Sequence, residues 1–175
     1  MTPRVEILQL SPEALRGLAD GDQAAAERSS PVPLSPYLAG PECLGVWEIR
    51  AVQTVEDPPS AAWVTGVVWD PERRLPVGRA GYHGPPDADG MVEVGYSVDP
   101  ALRRRGYARA AMRVLLDRAI AHPEVRVLRA TVSPDNEPSL NLIASFGLER
   151  NGEQWDEEDG LEIVYEVATD GAAGS

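Results

Sequence analysis

Apolar and polar residues change their spacing along this chain, and the change separates strands from helices. Residues 5–10 read as a first strand. Ser11-Pro12-Glu13 then places a capping serine before a proline at the first helical position, so a helix runs to about Leu18. A second helical stretch covers 22–28, and the proline-rich segment 29–41 is a loop. Residues 44–55 are helical and stop at Asp57-Pro58-Pro59. Two strands, 63–69 and 76–82, flank the charged turn Asp70-Pro71-Glu72-Arg73. A second turn, 84–90, leads into a strand at 91–98. On that strand Val92, Val94, Tyr96 and Val98 share one face, while Glu93, Gly95 and Ser97 share the other.

From about Arg104 to Ala121 the spacing switches to threes and fours, with Ala108, Ala111, Met112, Leu115 and Ala119 on one stripe. Arg113 and Asp117 lie four apart on another face, and His122-Pro123 ends the helix. Residues 126–132 form a strand of the buried type. Asp135 or Asn136 caps the next helix, whose stripe is Leu140, Ile143 and Phe146 and whose stop is Gly147. Residues 154–156 and 161–167 close the pattern as a hairpin. The order predicts a mixed α/β fold: a mostly antiparallel central sheet flanked by helices, with one parallel crossover. It is read as a single domain over 1–168, with a flexible C-terminal tail at 169–175.

Composition narrows the function classes. The chain has 175 residues, of which 43% are hydrophobic, enough for one ordinary core. No apolar run is long enough to span a bilayer, and no signal-peptide pattern opens the chain, so no membrane association is expected. Cys43 is the single cysteine, which fits a reducing, cytoplasmic compartment. A net charge of −12 argues against nucleic acid and suits a cationic acceptor such as an amine. There is no lysine, and half of the arginines fall between Arg103 and Arg129. The acids concentrate elsewhere, as in Asp156-Glu157-Glu158-Asp159. An acidic chain with a local arginine cluster is suited to hold an anion at one place.

That place is the hexapeptide Arg103-Arg104-Arg105-Gly106-Tyr107-Ala108, between the strand 91–98 and the long helix. A helix start presents unpaired amides and the positive end of the macrodipole, and glycine lets an anion approach the backbone. The turn is therefore a candidate pyrophosphate cradle. Arg103-x-x-Gly106-x-Ala108 resembles the acetyl-CoA signature of the GCN5-related N-acetyltransferases (GNAT). Glu93-Val94-Gly95-Tyr96-Ser97-Val98 and Asn136-x-x-Ser139 are similar to the branch that includes the ribosomal-protein N-terminal acetyltransferases. The likeness is strong from 92 to 147, weaker over 63–90 and 154–167, and rests on element order before Trp63.

The resemblance implies the GNAT fold, with the sheet splayed between the strands 91–98 and 126–132. It implies acetyl-CoA as cofactor and an amine acceptor. Arg103, Arg104, Arg105, Gly106, Tyr107, Ala108 and Arg109 would hold the diphosphate. Tyr96, Ser97 and Val98 would pair with pantetheine, an N–H near Val98 polarising the thioester carbonyl. Asn136 and Phe146 are carried over as cofactor contacts, Asn136 being equally an N-cap. Ser139 is carried over as a cofactor contact and as the donor to the leaving sulfur, against a reading as plain helix surface. A tyrosine acid common in the family is missing between Ser133 and Gly147.

An attacking amine must lose a proton, and Glu93 is the candidate base, directly or through water, against a reading as a solvent-facing glutamate. His83 is a second candidate base. Tyr37, Trp47, Tyr82 and Trp155 are candidates for the acceptor wall, or else core aromatics. Cys43 has no neighbouring base and reads as structural. Two separated histidines give no metal-ligand spacing, and no nucleotide P-loop motif is present. The reading is an acetyl-CoA-dependent N-acetyltransferase that acts on a primary amine, a peptide N-terminus or a small molecule, by direct attack. The alternative is a non-catalytic acyl-CoA-binding sensor. A homodimer is compatible with either.

Overall fold

A computed structural model describes residues 2–169. Among them, seven strands follow the hydrogen-bonded order β1-β2-β3-β4-β5-β7-β6. The chain divides into two compact units, Met1–Pro85 with Gly95–Val114, and Pro86–Val94 with Leu115–Ser175. Strand β4 (Met91–Val98) and helix α4 (Tyr107–Ala121) each run through both.

In the first unit, β1 (Glu6–Leu8), β2 (Gly66–Asp70) and β3 (Leu75–Tyr82) form an antiparallel ladder. The register shifts between Val68 and Trp69. Helix α1 (Pro12–Ala19) starts as its capping residues require: Ser11 Oγ accepts from Ala14 N at 3.2 Å, with Pro12 next in sequence. Helices α2 (Gln23–Glu27) and α3 (Pro41–Glu56) follow. Leu15, Leu18, Leu38, Cys43, Trp47 and Val67 form the centre of one buried cluster. Helix α3, expected from residue 44, begins at Pro41, because proline supplies φ and needs no amide partner in a first turn. β2 begins three residues later than expected: the 3₁₀ turn Pro58–Ala62, whose Ser60 Oγ donates to Asp57 O at 2.7 Å, runs on into a turn at Trp63, whose N donates to Ser60 O at 2.8 Å, and the strand starts at Gly66.

In the second unit, β5 (Val127–Val132) runs parallel to the start of β4, with Met91↔Val127, Val92↔Leu128 and Glu93↔Arg129 in register. This is the expected parallel pair, and the ladder ends at Glu93, leaving Val94 to Val98 outside it. On its other side β5 pairs antiparallel with β7 (Gly160–Ala168), which pairs with β6 (Glu149–Asp156). Helix α5 (Glu137–Ser145) buries Ile143, and Phe146 and Leu148 follow into the core. β6 starts five residues earlier than the apolar pattern indicated. It is an edge strand with seven exposed positions, so no alternation marks it. Thr169, the first residue of the expected tail, is buried and donates through Oγ1 to Val125 O at 2.9 Å. The remainder of that tail, 170–175, lies outside the described residues.

Candidate active site

The strand-to-helix turn is built by three local devices. Asp99 leaves β4 with its amide on Val77 O at 2.9 Å, and its carboxylate caps the 3₁₀ turn Pro100–Leu102 through Ala101 N at 2.9 Å. Arg103 folds back, its Nε donating to Val98 O at 3.0 Å. Arg104 and Gly106 then both take positive φ, 64° and 86°. An extra Cβ at Gly106 would also lie 3.0 Å from Pro3 Cδ. Helix α4 thus starts at Tyr107, not near Arg104 as its apolar spacing suggested, since a residue at φ 64° cannot continue a right-handed helix. Its first helical hydrogen bond runs from Ala110 N to Gly106 O, so the amides of Tyr107 and Ala108 open the helix without an intrahelical acceptor. The side chains of Arg103, Arg104 and Arg105 are exposed around them. Arg105 also lines a cleft of about 560 Å³ with Arg4, Arg73 and Tyr107.

Tyr107 was expected at the cofactor, yet its ring is buried and its hydroxyl donates to Asp70 Oδ2 at 2.6 Å. Asp70 belongs to the expected charged turn, yet it is 1% exposed. Its Oδ1 accepts from Glu72 N and Arg73 N at 3.0 Å each, and its Oδ2 also from Arg73 Nη1 at 3.1 Å. Burial pushes the Asp70 pKa up. The hydrogen bonds from Tyr107 and from Arg73 outweigh it and hold the carboxyl below its ordinary value. Burial, then the Asp70 contact, raises the Tyr107 pKa, so this phenol remains a donor. A sequence cannot show that the first residue of Asp70-Pro71 is covered; the aspartate–proline turn pattern is its only trace.

Along β4 the two units hold different candidate groups. In the first, Ser97 Oγ and Tyr37 OH share a hydrogen bond of 2.5 Å, which joins an expected cofactor contact to an expected acceptor-wall residue. Burial raises the Tyr37 pKa, while the Ser97 bond pulls it down by less. The His83 ring stands beside Gly95, where an added Cβ would lie 3.1 Å from Nε2. In the second unit, Glu93 Oε1 accepts from Thr131 Oγ1 of β5 at 2.7 Å, so one carboxylate oxygen is oriented by a neighbouring strand. Asn136 caps α5 by accepting from Ser139 N at 3.3 Å. Asn136 is exposed, Ser139 is half-buried and Phe146 is buried.

The remaining aromatic candidates divide by burial. Trp47 is fully buried in the first unit's core, its Nε1 donating to Leu38 O at 2.8 Å. Tyr82 is also fully buried and sits 5.5 Å from the Trp63 ring. Neither presents surface to a solute in this conformation. Trp155 is 75% exposed on the edge strand β6. Cys43 is buried. Among the described residues no group of three His, Cys, Asp or Glu is placed to hold a metal ion, and no helix is long and apolar enough to cross a membrane.

Residues 5–149 match the family model for the acetyltransferase (GNAT) domain. The chain is similar to an uncharacterised N-acetyltransferase of Bacillus subtilis, YjdG, at 32% identity over 71 residues, 41% of this chain and 42% of that protein. It is also similar to the L-2,4-diaminobutyric acid acetyltransferase of Streptomyces coelicolor, at 35% identity over 95 residues, 54% of this chain and 53% of that protein. These matches span about half the length of the curated relatives, 42% and 53%. The ribosomal-protein-S5-alanine acetyltransferase of Vibrio fischeri shares the fold, with a TM-score of 0.67 at 20% identity over 97% of this chain and 96% of that one.

Proposed function

We propose that this chain, which belongs to the GNAT acetyltransferase family, transfers an acetyl group from acetyl-CoA to a primary amine by direct attack in a ternary complex. The observation that carries the reading is the turn after β4. Open amides at Tyr107 and Ala108, a positive-φ glycine and three exposed arginines suit a diphosphate, which carries negative charge and needs close backbone approach. The family uses acetyl-CoA as its co-substrate. Bound there, acetyl-CoA supplies an activated acyl group: a C–N bond forms as the thioester C–S bond breaks, and CoA departs as the thiol.

The chain's own groups have defined tasks in this scheme. Glu93 takes the ammonium proton, directly or through water, and Thr131 fixes the carboxylate that does so. The backbone near Val98 donates to the carbonyl oxygen as charge gathers there. Ser139 lies in the first turn of α5 and donates toward the departing sulfur. Asn136 and Phe146 border the cofactor, and Tyr37 borders the acceptor. Holding both substrates together supplies much of the rate, which suits a chain with no tyrosine between Ser133 and Gly147. The acceptor is a primary amine of a peptide N-terminus or a small molecule, and the single buried Cys43 suits a reducing cytoplasmic setting.

The test is release of free CoA thiol from acetyl-CoA in the presence of a panel of amines and peptide N-termini. The double substitution Arg103→Glu/Arg105→Glu is expected to raise the KM for acetyl-CoA about 10- to 100-fold and steepen with lower salt. Tight CoA binding without transfer to any acceptor would replace the enzyme with an acyl-CoA sensor. An unchanged KM would remove the turn as the diphosphate site.

A further inference from the structure

Two arginines of the first unit lie together where the acetyl-transfer scheme gives neither a role. Arg79 is on β3, directly opposite Val67 of β2. Opposite residues of an antiparallel pair project to the same face, and Val67 is part of the core beneath α3. Arg79 therefore projects toward the α3 side, where its Nε is buried without a hydrogen-bond partner. Arg50 reaches the same face from α3. Its Nε donates to Thr65 Oγ1 at 3.3 Å, and Thr65 immediately precedes β2. Its Nη1 donates to Gln53 Oε1 at 2.8 Å and to His83 O at 3.3 Å.

All of these partners are neutral, and no described carboxylate forms an ion pair with either guanidinium. Burial, and then the charge of Arg79, lower the Arg50 pKa. The charge of Arg79 also acts on Tyr37, the residue bonded to Ser97 of β4. The chain has 28 acidic residues against 16 arginines, so leaving two half-buried cations unmatched is not for want of acids. Desolvated like charges repel, and a guanidinium with an unused buried donor gains most from a planar anion. Solute can reach Arg50, which lines a surface cleft of about 670 Å³ together with Gln53, His83 and the acids Glu48, Glu56 and Asp57; Arg79 lies outside that lining.

We propose that Arg50 and Arg79 form an anion subsite for the acceptor, so that the amine acetylated here also carries a carboxylate. The inference rests on the acetyltransferase reading for its meaning, though not for its binding chemistry. Arg79 supplies a buried, unpartnered Nε–H donor and Arg50 the second charge. The acceptor's amine is then held at a fixed reach from its carboxylate, which selects amino acids over plain diamines.

The experiment compares acceptors that differ only in the carboxylate: 2,4-diaminobutyrate against propane-1,3-diamine, and lysine against pentane-1,5-diamine. In at least one pair kcat/KM is expected to favour the carboxylate by about 10- to 100-fold. Arg79→Gln collapses that ratio, and Arg79→Lys, which keeps the charge without the guanidinium, gives an intermediate value. The urea midpoint of Arg79→Gln is expected at or above the wild-type value, since one of two like charges is gone. Equal use of both members in each pair, an unchanged ratio in Arg79→Gln, or a large fall in its midpoint would overturn the subsite. Should no amine be acetylated, the acetyltransferase reading fails by itself. Calorimetry then decides the subsite: 2,4-diaminobutyrate bound by the wild type and lost in Arg79→Gln supports it, and binding that is absent or equal in both refutes it.

Discussion

Tyr107→Phe removes one oxygen from the start of α4 and tests whether a buried carboxylate holds the turn in shape. The hydroxyl donates to Asp70 Oδ2 at 2.6 Å, with Tyr107 3% and Asp70 1% exposed. After the substitution Oδ2 keeps only Arg73 Nη1, at 3.1 Å, on a side chain that is 58% exposed and therefore screened by solvent. A hydrogen bond to a charged group contributes about 1.5–3 kcal/mol, so the loss should fall in that range at pH 7. The pH dependence has a definite sign. The folded-state pKa of Asp70 lies below its unfolded value, so its contribution is complete above the ordinary carboxylate pKa and is lost as pH falls through the folded value. The Tyr107→Phe penalty should accordingly shrink once the pH drops below about 4. Urea unfolding followed by tryptophan fluorescence, for wild type, Tyr107→Phe, Asp70→Asn and the double variant, measures it. The double variant should be less destabilised than the sum of the singles, by about 1 kcal/mol or more. A Tyr107→Phe cost under about 0.5 kcal/mol at pH 7, or the same cost with Asp70→Asn already present, would refute the anchoring argument.

Other outcomes follow from the same geometry. Glu93→Gln should lower kcat by about 100-fold or more while the KM for acetyl-CoA stays within a factor of two or so, a split that steady-state kinetics resolves; unaltered kcat would remove Glu93 from proton transfer. Gly106→Ala should cost about 1–2 kcal/mol, because φ is 86° and its Cβ would meet Pro3 Cδ at 3.0 Å. Gly45→Ala, inside α3 with nothing within 4 Å of the new methyl, should instead stabilise by about 0.5–1 kcal/mol, and paired thermal melts would expose any failure of this contrast.

Sequence alone determined what short-range chemistry controls. Ser11-Pro12, Pro138 after Asn136, and Gly147 mark helix ends because caps and stops act within a turn of the chain. The strand 91–98, the glycine turn and the amphipathic α4 were legible for the same reason, and with them the family and the candidate diphosphate site. Tertiary structure decided the matters that depend on what covers a residue. Asp70 lies in a turn-like string, and only the arrival of Tyr107 from 37 positions away makes it a buried anchor. Trp47 and Tyr82 look like pocket walls in one dimension, yet packing closes over both. Arg50 and Arg79 are unremarkable letters on separate elements until β3 and α3 bring them to one face. Local pattern encodes where backbone hydrogen bonds begin and end; burial, and the charges it leaves unmatched, are properties of contacts between distant segments.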